Sequence, residues 1–235
     1  MTGRRRSRTA AVVVALAVLG GGCASATGQD VSSAQRGVSA FPGTTSVAAP
    51  PTTRARIVHE QAWAPFASVG GIILRYPSAR VERIGYHQSN HDGARDLEPL
   101  PTPTEQVTLE ARERATAGRT AADVVVDPDG DIRSPVSGRV LSAGTYVLYC
   151  DYRDDFVIIQ PDDRPAWQVK VLHIDGVAVR QGARVRAGET VLAPRATRLP
   201  FASQVEETAA LPAWPHVHIE VIDPSLRDIP SGKGC

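Results

Sequence analysis

Short apolar runs recur along residues 121–222 and predict a series of β-strands. Turns rich in Gly, Pro and Asp separate them at intervals of about 8–12 residues, a spacing typical of all-β sandwiches and barrels. No run in this half has the length and period of a helix of three turns. The predicted strands lie at 124–126, 138–141, 146–152, 156–160, 167–174, 185, 191–192 and 218–222. The pattern therefore predicts an all-β fold, mainly antiparallel.

The preceding segment, residues 56–118, is less regular. Residues 72–76 are apolar and predict a buried strand that ends at Pro77, and the weak alternation at 80–86 predicts another strand. Residues 106–114 fit either a strand or a short helix. We therefore predict an N-terminal extension at 56–118 that packs on a β domain at 119–235.

The N-terminus has the features of a bacterial export signal. Arginines precede an apolar run at residues 10–19, which is too short to span a membrane. Three glycines and Cys23 follow, an order that resembles a lipoprotein cleavage site, although Gly20 stands where a large aliphatic residue is usual. We predict a signal peptide at 1–22, lipidation of Cys23, and a flexible linker at 23–55. The alternative is an ordinary signal peptide followed by an unrelated cysteine.

Charge and cysteine content narrow the classes of partner. The 235-residue chain has a formal net charge of +1, which gives no general attraction to nucleic acid. We expect instead a lipid-anchored protein on the outer face of the cell membrane. Once Cys23 is lipidated, Cys150 and Cys235 remain, and an exported chain allows them to form a disulfide. The sequence leaves that pairing open.

The sharpest chemical signal is the segment from His216 to Glu220, which reads His-Val-His-Ile-Glu. In a strand, residues i and i+2 point to the same face, so His216 and His218 project together and are able to share a metal or a water. Alone, a His-x-His pair is weak evidence, because most such pairs arise by chance or lie on a surface.

Four motifs in order resemble those of the lysostaphin-like (LytM-type) zinc peptidases. Residues 134–140, 171–174, 179–188 and 216–220 are similar to the family patterns AP-x-x-G-x-V, Y-x-H-L, V-x-x-G-x-x-V-x-x-G and H-L-H-F-E. The resemblance covers residues 119–223 and implies a barrel-sandwich hybrid whose groove holds zinc. It also implies that Asp123 and His218 are metal ligands, and that His173 and His216 act on the water and the developing oxyanion.

The chain departs from this family pattern at the first ligand. Four residues before Asp123, where the family has a histidine, stands Arg119, and arginine cannot ligate zinc. We expect Arg119 to fill the metal's place and to pair with Asp123. The alternative is a ligand recruited from the upstream polar segment, either His91 or His87. A second departure is the glycine-free stretch at 194–215, which replaces the family's glycine-rich turn.

Two functions remain open on these features. The interpretation favoured by Arg119 is a non-hydrolytic peptidase-like module that binds peptidoglycan or a cell-envelope protein, or regulates a wall enzyme. The alternative is an active zinc endopeptidase that cleaves peptidoglycan cross-links, with zinc held by Asp123, His218 and either His91 or His87. A biotinyl or lipoyl carrier domain is disfavoured because no lysine stands at a suitable hairpin tip.

Overall fold

Almost all of the regular secondary structure in the described chain is β-strand, and the predicted all-β, mainly antiparallel class is confirmed. The computed structural model describes residues 54–60 and 63–229. The predicted signal peptide, Cys23 and nearly all of the linker lie outside the described residues. Within them, no helix is both long and apolar enough to cross a membrane.

The described residues form fifteen strands and one short helix. In chain order they are β1 (His59–Glu60), β2 (Pro65–Val69), β3 (Ile72–Arg75), β4 (Arg80–His87), β5 (Glu98–Pro99), β6 (Glu105–Thr108), β7 (Ala121–Val126), β8 (Ile132–Arg133), β9 (Gly138–Leu148), β10 (Tyr152–Pro161), β11 (Gln168–Asp175), β12 (Arg184–Val185), β13 (Val191–Ala193), β14 (Arg195–Ala196), α1 (Gln204–Glu207) and β15 (His216–Ile222).

One ten-stranded sheet organises the fold. Its order is β1-β4-β7-β15-β11-β10-β9-β12, with β6 beside β4 and β14 beside β11. All of these pairs are antiparallel except β4–β6. Among the described residues this path of strands is open, so the sheet does not close into a barrel. Strands β2, β3 and β5 form a second sheet, and β8 pairs with β13.

The predicted N-terminal extension shares the main sheet with the predicted β domain. Strands β1, β4 and β6 come from residues 56–118, and β4 pairs along β7 from Val81–Val126 to His87–Ala121. All the described residues fall in one compact unit, residues 50–235. The upstream segment therefore supplies strands that lie directly beside the centre of the later domain.

Two central strands are buried on both faces, which explains their apolar sequences. In β7, Ala122, Val124 and Val126 belong to the main hydrophobic core. The alternate residues point to the opposite face, where Val125 packs with Val205 and Ala209 around the short helix. The same alternation runs along β15, whose core-facing residues are Val217, Ile219 and Val221. The polar residues of both strands thus share the face opposite the main core.

Cys150 follows β9 in a tight turn, where Tyr149 and Cys150 both have positive φ. Cys150 is disulfide-bonded. The other two cysteines of the sequence, Cys23 and Cys235, lie outside the described residues.

Gly138, the glycine of the Ser-Pro-x-x-Gly motif, lies at the start of β9 against β10. A Cβ atom at this position would overlap the backbone oxygen of Gln160 and stand 2.8 Å from Cγ2 of Ile159. We expect Gly138→Ala to lower the free energy of unfolding by about 1–3 kcal/mol, because backbone cannot move aside as a side chain does. The control is Gly118→Ala, whose Cβ meets only Thr108 at 4.0 Å. Urea unfolding of both variants checks this, and equal midpoints would contradict it.

Candidate metal centre

Three neighbouring strands bring one aspartate and two histidines together on the face opposite the main core. Asp123 of β7 lies directly opposite His218 of β15 on one side and Gly85 of β4 on the other. His87 is two residues beyond Gly85 on β4, so its side chain leaves the same face of the sheet as Gly85. The strand register, not the spacing along the chain, therefore assembles the cluster.

The three side chains have the separations of a metal site. Nε2 of His87 lies 3.0 Å from Oδ1 of Asp123, and Nδ1 of His218 lies 2.9 Å from the same oxygen. One ligand atom from each residue lies within 4.8 Å of the others. Tetrahedral zinc with ligands at about 2.0–2.1 Å needs donor atoms roughly 3.3 Å apart. Two imidazoles and one carboxylate are also a donor set that catalytic zinc accepts, so these residues fit the metal.

His87 is held in the tautomer that a metal ligand needs. Its Nδ1 lies 2.9 Å from the backbone carbonyl oxygen of Gln88, which accepts the ring N–H. This bond leaves the Nε2 lone pair facing Asp123. The Nε2 atom is fully buried and makes no hydrogen bond, although the Asp123 oxygen is only 3.0 Å away. A buried nitrogen with no hydrogen-bond partner, aimed at a carboxylate, is the arrangement expected for an imidazole that ligates a metal.

Charge is concentrated around Asp123, which is 3% exposed. Burial alone would raise its pKa, but positive charge on the surrounding imidazoles in the metal-free protein and the hydrogen bond from His218 outweigh burial and hold the pKa well below its usual range. For His218, burial lowers the pKa, while the hydrogen bond to Asp123 and the nearby Glu220 carboxylate raise it to about 9. The structure thus keeps Asp123 in the ionised form that binds cations.

His216 lies beside the cluster but is turned toward a different partner. Its Nδ1 lies 2.8 Å from Oε1 of Glu206, which accepts the ring N–H, and its Nε2 is 3.9 Å from Oδ2 of Asp123. Glu206 belongs to α1, where it also closes a capping box with Ser203. A carboxylate on Nδ1 fixes the ring and leaves Nε2 able to accept a proton.

His173 forms a second histidine–carboxylate pair on the other side of His216. Its Nδ1 lies 2.7 Å from Oδ2 of Asp154, an oxygen that also accepts from the Tyr146 hydroxyl at 2.6 Å. Burial lowers the pKa of His173, whereas the hydrogen bond to Asp154 opposes that shift. The rings of His173 and His216 pack edge to face, with centroids 4.9 Å apart.

The backbone of His173 is distorted in a way that aims this ring. The residue has φ +61, a left-handed conformation that is uncommon for a histidine. It is the extra residue of a bulge, because Asp155 pairs with Ile174 and Phe156 with Leu172. Bulges redirect side chains and often lie next to active sites. Here the bulge turns His173 toward His216 and His218.

A third carboxylate supports the cluster from behind His218. Oε2 of Glu220 lies 3.8 Å from Nε2 of His218 and accepts a hydrogen bond from the Ser89 hydroxyl. Oε1 of Glu220 lies 3.1 Å from Nζ of Lys170. Burial raises the pKa of Glu220, but His218, Lys170 and Ser89 hold it far below its usual range. Glu220 therefore stays ionised and restrains the His218 ring.

These residues lie at the bottom of an open cavity of about 560 Å³. Its walls carry apolar, aromatic and basic side chains, which leave space for a substrate above the cluster. The wall residues outside the cluster are Asn90, His91, Arg112, Arg114, Tyr146, Leu148, Tyr149, Lys170, Leu172, Leu199, Phe201, Ala202, Ser203, Gln204 and Asp228. An open side is what separates a catalytic zinc site from a closed structural one.

The structure places Arg119 away from the position predicted for it. Its guanidinium lies 3.9 Å from Asp96, and its side chain is 44% exposed. The close ionic partners of Asp123 within the described residues are His87, His216 and His218. Arg119 directly precedes Thr120, just before the start of β7, and its exposed side chain does not fill the metal's place beside Asp123. The side chain that lies beside Asp123 instead is His87.

His91 also lies outside the cluster, although it lines the cavity. Its Nε2 is 3.8 Å from Oδ2 of Asp228, and its Nδ1 accepts a hydrogen bond from the backbone N–H of Gly93. That second bond is local to the loop after β4. Of the two histidines considered from the sequence as recruited ligands, the structure therefore brings His87 and not His91 next to Asp123, and it keeps Asp123, His218, His173 and His216 together.

Asp154 and Glu206 contact the histidines of the site, and the sequence motifs missed both of them. Asp154 lies on β10, outside every motif quoted above, and no pattern marks it as the partner of His173. Glu206 lies in the stretch 194–215, which departs from the family pattern because it has no glycine-rich turn. A signal was present there: Ser203 and Glu206 have the spacing of a capping box, which predicts a helix start and a fixed glutamate.

Comparisons with known proteins add little to this geometry. The sequence matches none of the protein-family models and none of the curated proteins. One similar solved structure is described as a zinc containing peptidase from Vibrio cholerae. It is 17% identical, with a TM-score of 0.34, over 73% of this chain and 46% of that one. The chain thus spans just under half the length of that protein.

Arg119→Ala is expected to leave the zinc content and any hydrolytic activity of the protein unchanged. The reason is that its guanidinium pairs with an exposed aspartate, and such surface pairs contribute at most about 1 kcal/mol. Metal analysis and thermal unfolding of the variant beside the wild type check this. A gain of zinc in the variant would instead support Arg119 as a stand-in for the metal.

Proposed function

We propose that this chain is a zinc-dependent peptidase of the cell envelope. The observation that carries the proposal is the buried His87–Asp123–His218 cluster, open to a cavity and flanked by two histidines that each have a carboxylate partner. The sequence favoured a non-hydrolytic module because Arg119 stands at the ligand position of the family pattern. Since His87 lies where that ligand is needed, the hydrolytic alternative is now preferred.

His87, Asp123 and His218 would hold the metal through Nε2, a carboxylate oxygen and Nδ1. Bound there, zinc would supply a Lewis acid for a carbonyl oxygen and lower the pKa of water. Asp123 contributes negative charge at the site, and Gln88 and Glu220 orient the two imidazoles. Such outer partners typically change metal affinity by about 10- to 100-fold when they are removed.

His216 is suited to act as the general base and acid. Because Glu206 accepts its Nδ1 proton, Nε2 is available to take a proton from the water that attacks the peptide carbonyl. The same Nε2 then delivers that proton to the leaving nitrogen, as the carbon–nitrogen bond breaks and a carboxyl and an amine separate. The imidazolium formed in between is stabilised by the adjacent Glu206 carboxylate.

His173 is suited to stabilise the oxygen on which negative charge develops. Its Nδ1–H points at Asp154, and the position of its ring beside His216 puts Nε2 at the floor of the cavity. The Nε2 atom donates to an oxyanion only when it carries a proton, so the Asp154 carboxylate assists by favouring the charged ring. His173 would thus act on the carbonyl oxygen while His216 handles the proton.

Peptidoglycan is the substrate that the sequence best supports. The export signal and the lipoprotein-like Cys23 direct the chain to the cell envelope, and the motifs at 134–220 resemble those of peptidases that act there. The disulfide at Cys150 agrees with an oxidising compartment outside the cytoplasm. The cavity gives a branched peptide access to the cluster from one side.

The test uses the full-length chain solubilised in detergent. We expect about one zinc per chain by metal analysis and release of soluble fragments from purified cell-wall peptidoglycan. Chelation should stop the release, and added zinc should restore it. Fragments should carry new amino and carboxyl ends rather than new sugar ends, because the bond cleaved is an amide. A metal-free protein that binds peptidoglycan without cutting it would restore the non-hydrolytic interpretation.

Anchoring by Cys23 is a separate part of the proposal. Cys23→Ala is expected to move the protein from the membrane fraction to the soluble fraction, because a thiol is needed for the thioether-linked lipid. Fractionation of cells that express either form, with an antibody to the folded part, measures this. A variant that stays with the membranes would show that the attachment has another cause.

A further inference from the structure

Two arginines line the cavity on the wall beside His87. Arg112 and Arg114 lie in the irregular segment after β6, and both side chains are partly buried. Neither had a role in the sequence motifs. These side chains bring positive charge to the wall of the cavity, whereas the proposed metal site at its floor is built around the Asp123 carboxylate.

Gln88 fixes both arginines to the metal cluster. Its Oε1 accepts a hydrogen bond from the backbone N–H of Arg112 at 2.7 Å, and its Nε2 donates to the carbonyl of Arg114 at 3.0 Å. The guanidinium of Arg114 donates to the backbone oxygen of Gln88 at 2.6 Å. That same oxygen accepts from Nδ1 of His87. The Arg114 guanidinium is therefore one shared carbonyl away from the His87 ring.

The charges of these two arginines have no carboxylate partner. Within residues 54–60 and 63–229, no carboxylate oxygen lies within 4.0 Å of either guanidinium, whereas Lys170 in the same cavity is paired with Glu220. Arg112 donates from Nε to the neutral amide of Gln204. Burial, and then the like charge of Arg112, lower the pKa of Arg114, and the more distant charges of Tyr149, Asp123 and Glu220 oppose that shift without reversing it. Two like charges held together in a cavity favour an anion between them.

We propose that Arg112 and Arg114 form a carboxylate-binding subsite, and that the substrate is a peptide with a free carboxylate close to the scissile bond. This deepens the proposed function and rests on it. Guanidinium groups bind carboxylates through paired N–H donors, and such charged hydrogen bonds are among the stronger ones in proteins. A subsite anchored through Gln88 to His87 also sets the distance between the bound carboxylate and the cleaved bond.

The experiment compares two probes that differ only in charge. These are acetyl-tetraalanine with a free C-terminal carboxylate and the same peptide as its amide. For the full-length wild type with zinc, we expect kcat/KM to be roughly 10- to 100-fold higher for the acid. Arg112→Gln and Arg114→Gln should bring the ratio of acid to amide near one while the zinc content stays unchanged. Arg139→Gln, an exposed arginine outside the cavity, is the control and should keep the full ratio.

Binding of the two peptides to the metal-free protein, measured by calorimetry, separates this inference from the proposed function. Arginine-dependent binding of the acid, together with no hydrolysis of either peptide by the zinc-loaded protein, would support the subsite and contradict the peptidase. Hydrolysis of acid and amide at equal rates would support the peptidase and overturn the subsite. Neither binding nor cleavage would overturn both. Arg114→Lys keeps the charge but not the paired donors, so it should retain only part of the preference.

Discussion

His87→Ala is expected to abolish stoichiometric zinc binding and, with it, hydrolysis of peptidoglycan. A catalytic zinc site needs three protein ligands, and His87 is the only candidate besides Asp123 and His218 among the described residues whose ligand atom joins the cluster. Loss of a residue that merely orients a ligand costs roughly 10- to 100-fold in zinc affinity, so loss of the ligand itself should cost more than about 100-fold. Competition with a chelator of known affinity measures the change.

His91→Ala is the matched control for that variant. His91 lies four residues later, lines the same cavity and is also an imidazole, but its Nδ1 is occupied by Gly93. Its removal should leave zinc affinity unchanged. Because His87 is buried, His87→Gln and a circular dichroism spectrum test whether lost zinc reflects lost folding. A folded His87 variant that keeps its zinc, beside a His91 variant that loses it, would reverse the assignment.

The local pattern of apolar and polar residues was enough to predict the strands on which most residues of the site lie. Alternation at residues 80–86 corresponds to β4, and the apolar runs from 121 onward correspond to β7, β9, β10, β11 and β15. The period of two also put His216 and His218 on one face of a single strand, which the structure bears out. These features depend on residues close in sequence, and hydrophobic periodicity reports such features well.

That reasoning named His91 and His87 as alternatives for the third side chain of the cluster but could not choose between them. His87 joins Asp123 only because β4 pairs with β7, and these strands are separated by a long irregular segment that includes β5 and β6. Nothing in the local sequence of either strand specifies that pairing. Motif spacing pointed to Arg119, which is close to Asp123 along the chain, but its side chain is exposed and lies near Asp96. The pairing register of neighbouring strands, rather than the spacing of motifs along the sequence, decides which side chains meet.

The carboxylate partners were missed for a related reason. Asp154 and His173 meet across β10 and β11 at a bulge, and one extra residue changes which side chains face each other. Glu206 reaches His216 from the short helix α1. This helix lies in the glycine-free stretch 194–215, which stands where the family pattern has a glycine-rich turn. The capping box of that helix fixes Glu206 in place. The stretch that departs from the family pattern therefore supplies the carboxylate that orients His216.

His216→Ala is expected to lower kcat for peptide hydrolysis by about 10²- to 10⁴-fold while the zinc content stays at one per chain. His216 touches the cluster only at 3.9 Å from Asp123, so its removal should not release the metal. KM should change little, because the lost contact acts in the transition state. Single-turnover rates with peptidoglycan fragments measure kcat. A variant that loses zinc instead would make His216 a ligand.

A comparison of Glu206→Gln with Glu207→Gln tests whether the Glu206 carboxylate supports proton transfer by His216. Glu206 is buried and accepts a hydrogen bond from Nδ1 of His216 at 2.8 Å. Glu207, the next residue of the helix, is exposed and has no hydrogen bond or ion pair with that ring. An amide keeps the size and much of the capping bond, but it no longer stabilises the imidazolium that forms during proton transfer. We therefore expect Glu206→Gln to lower kcat by roughly 10- to 100-fold, less than His216→Ala, and Glu207→Gln to leave it unchanged. If both glutamine variants behave alike, Glu206 serves only to cap the helix, and His216 acts without it.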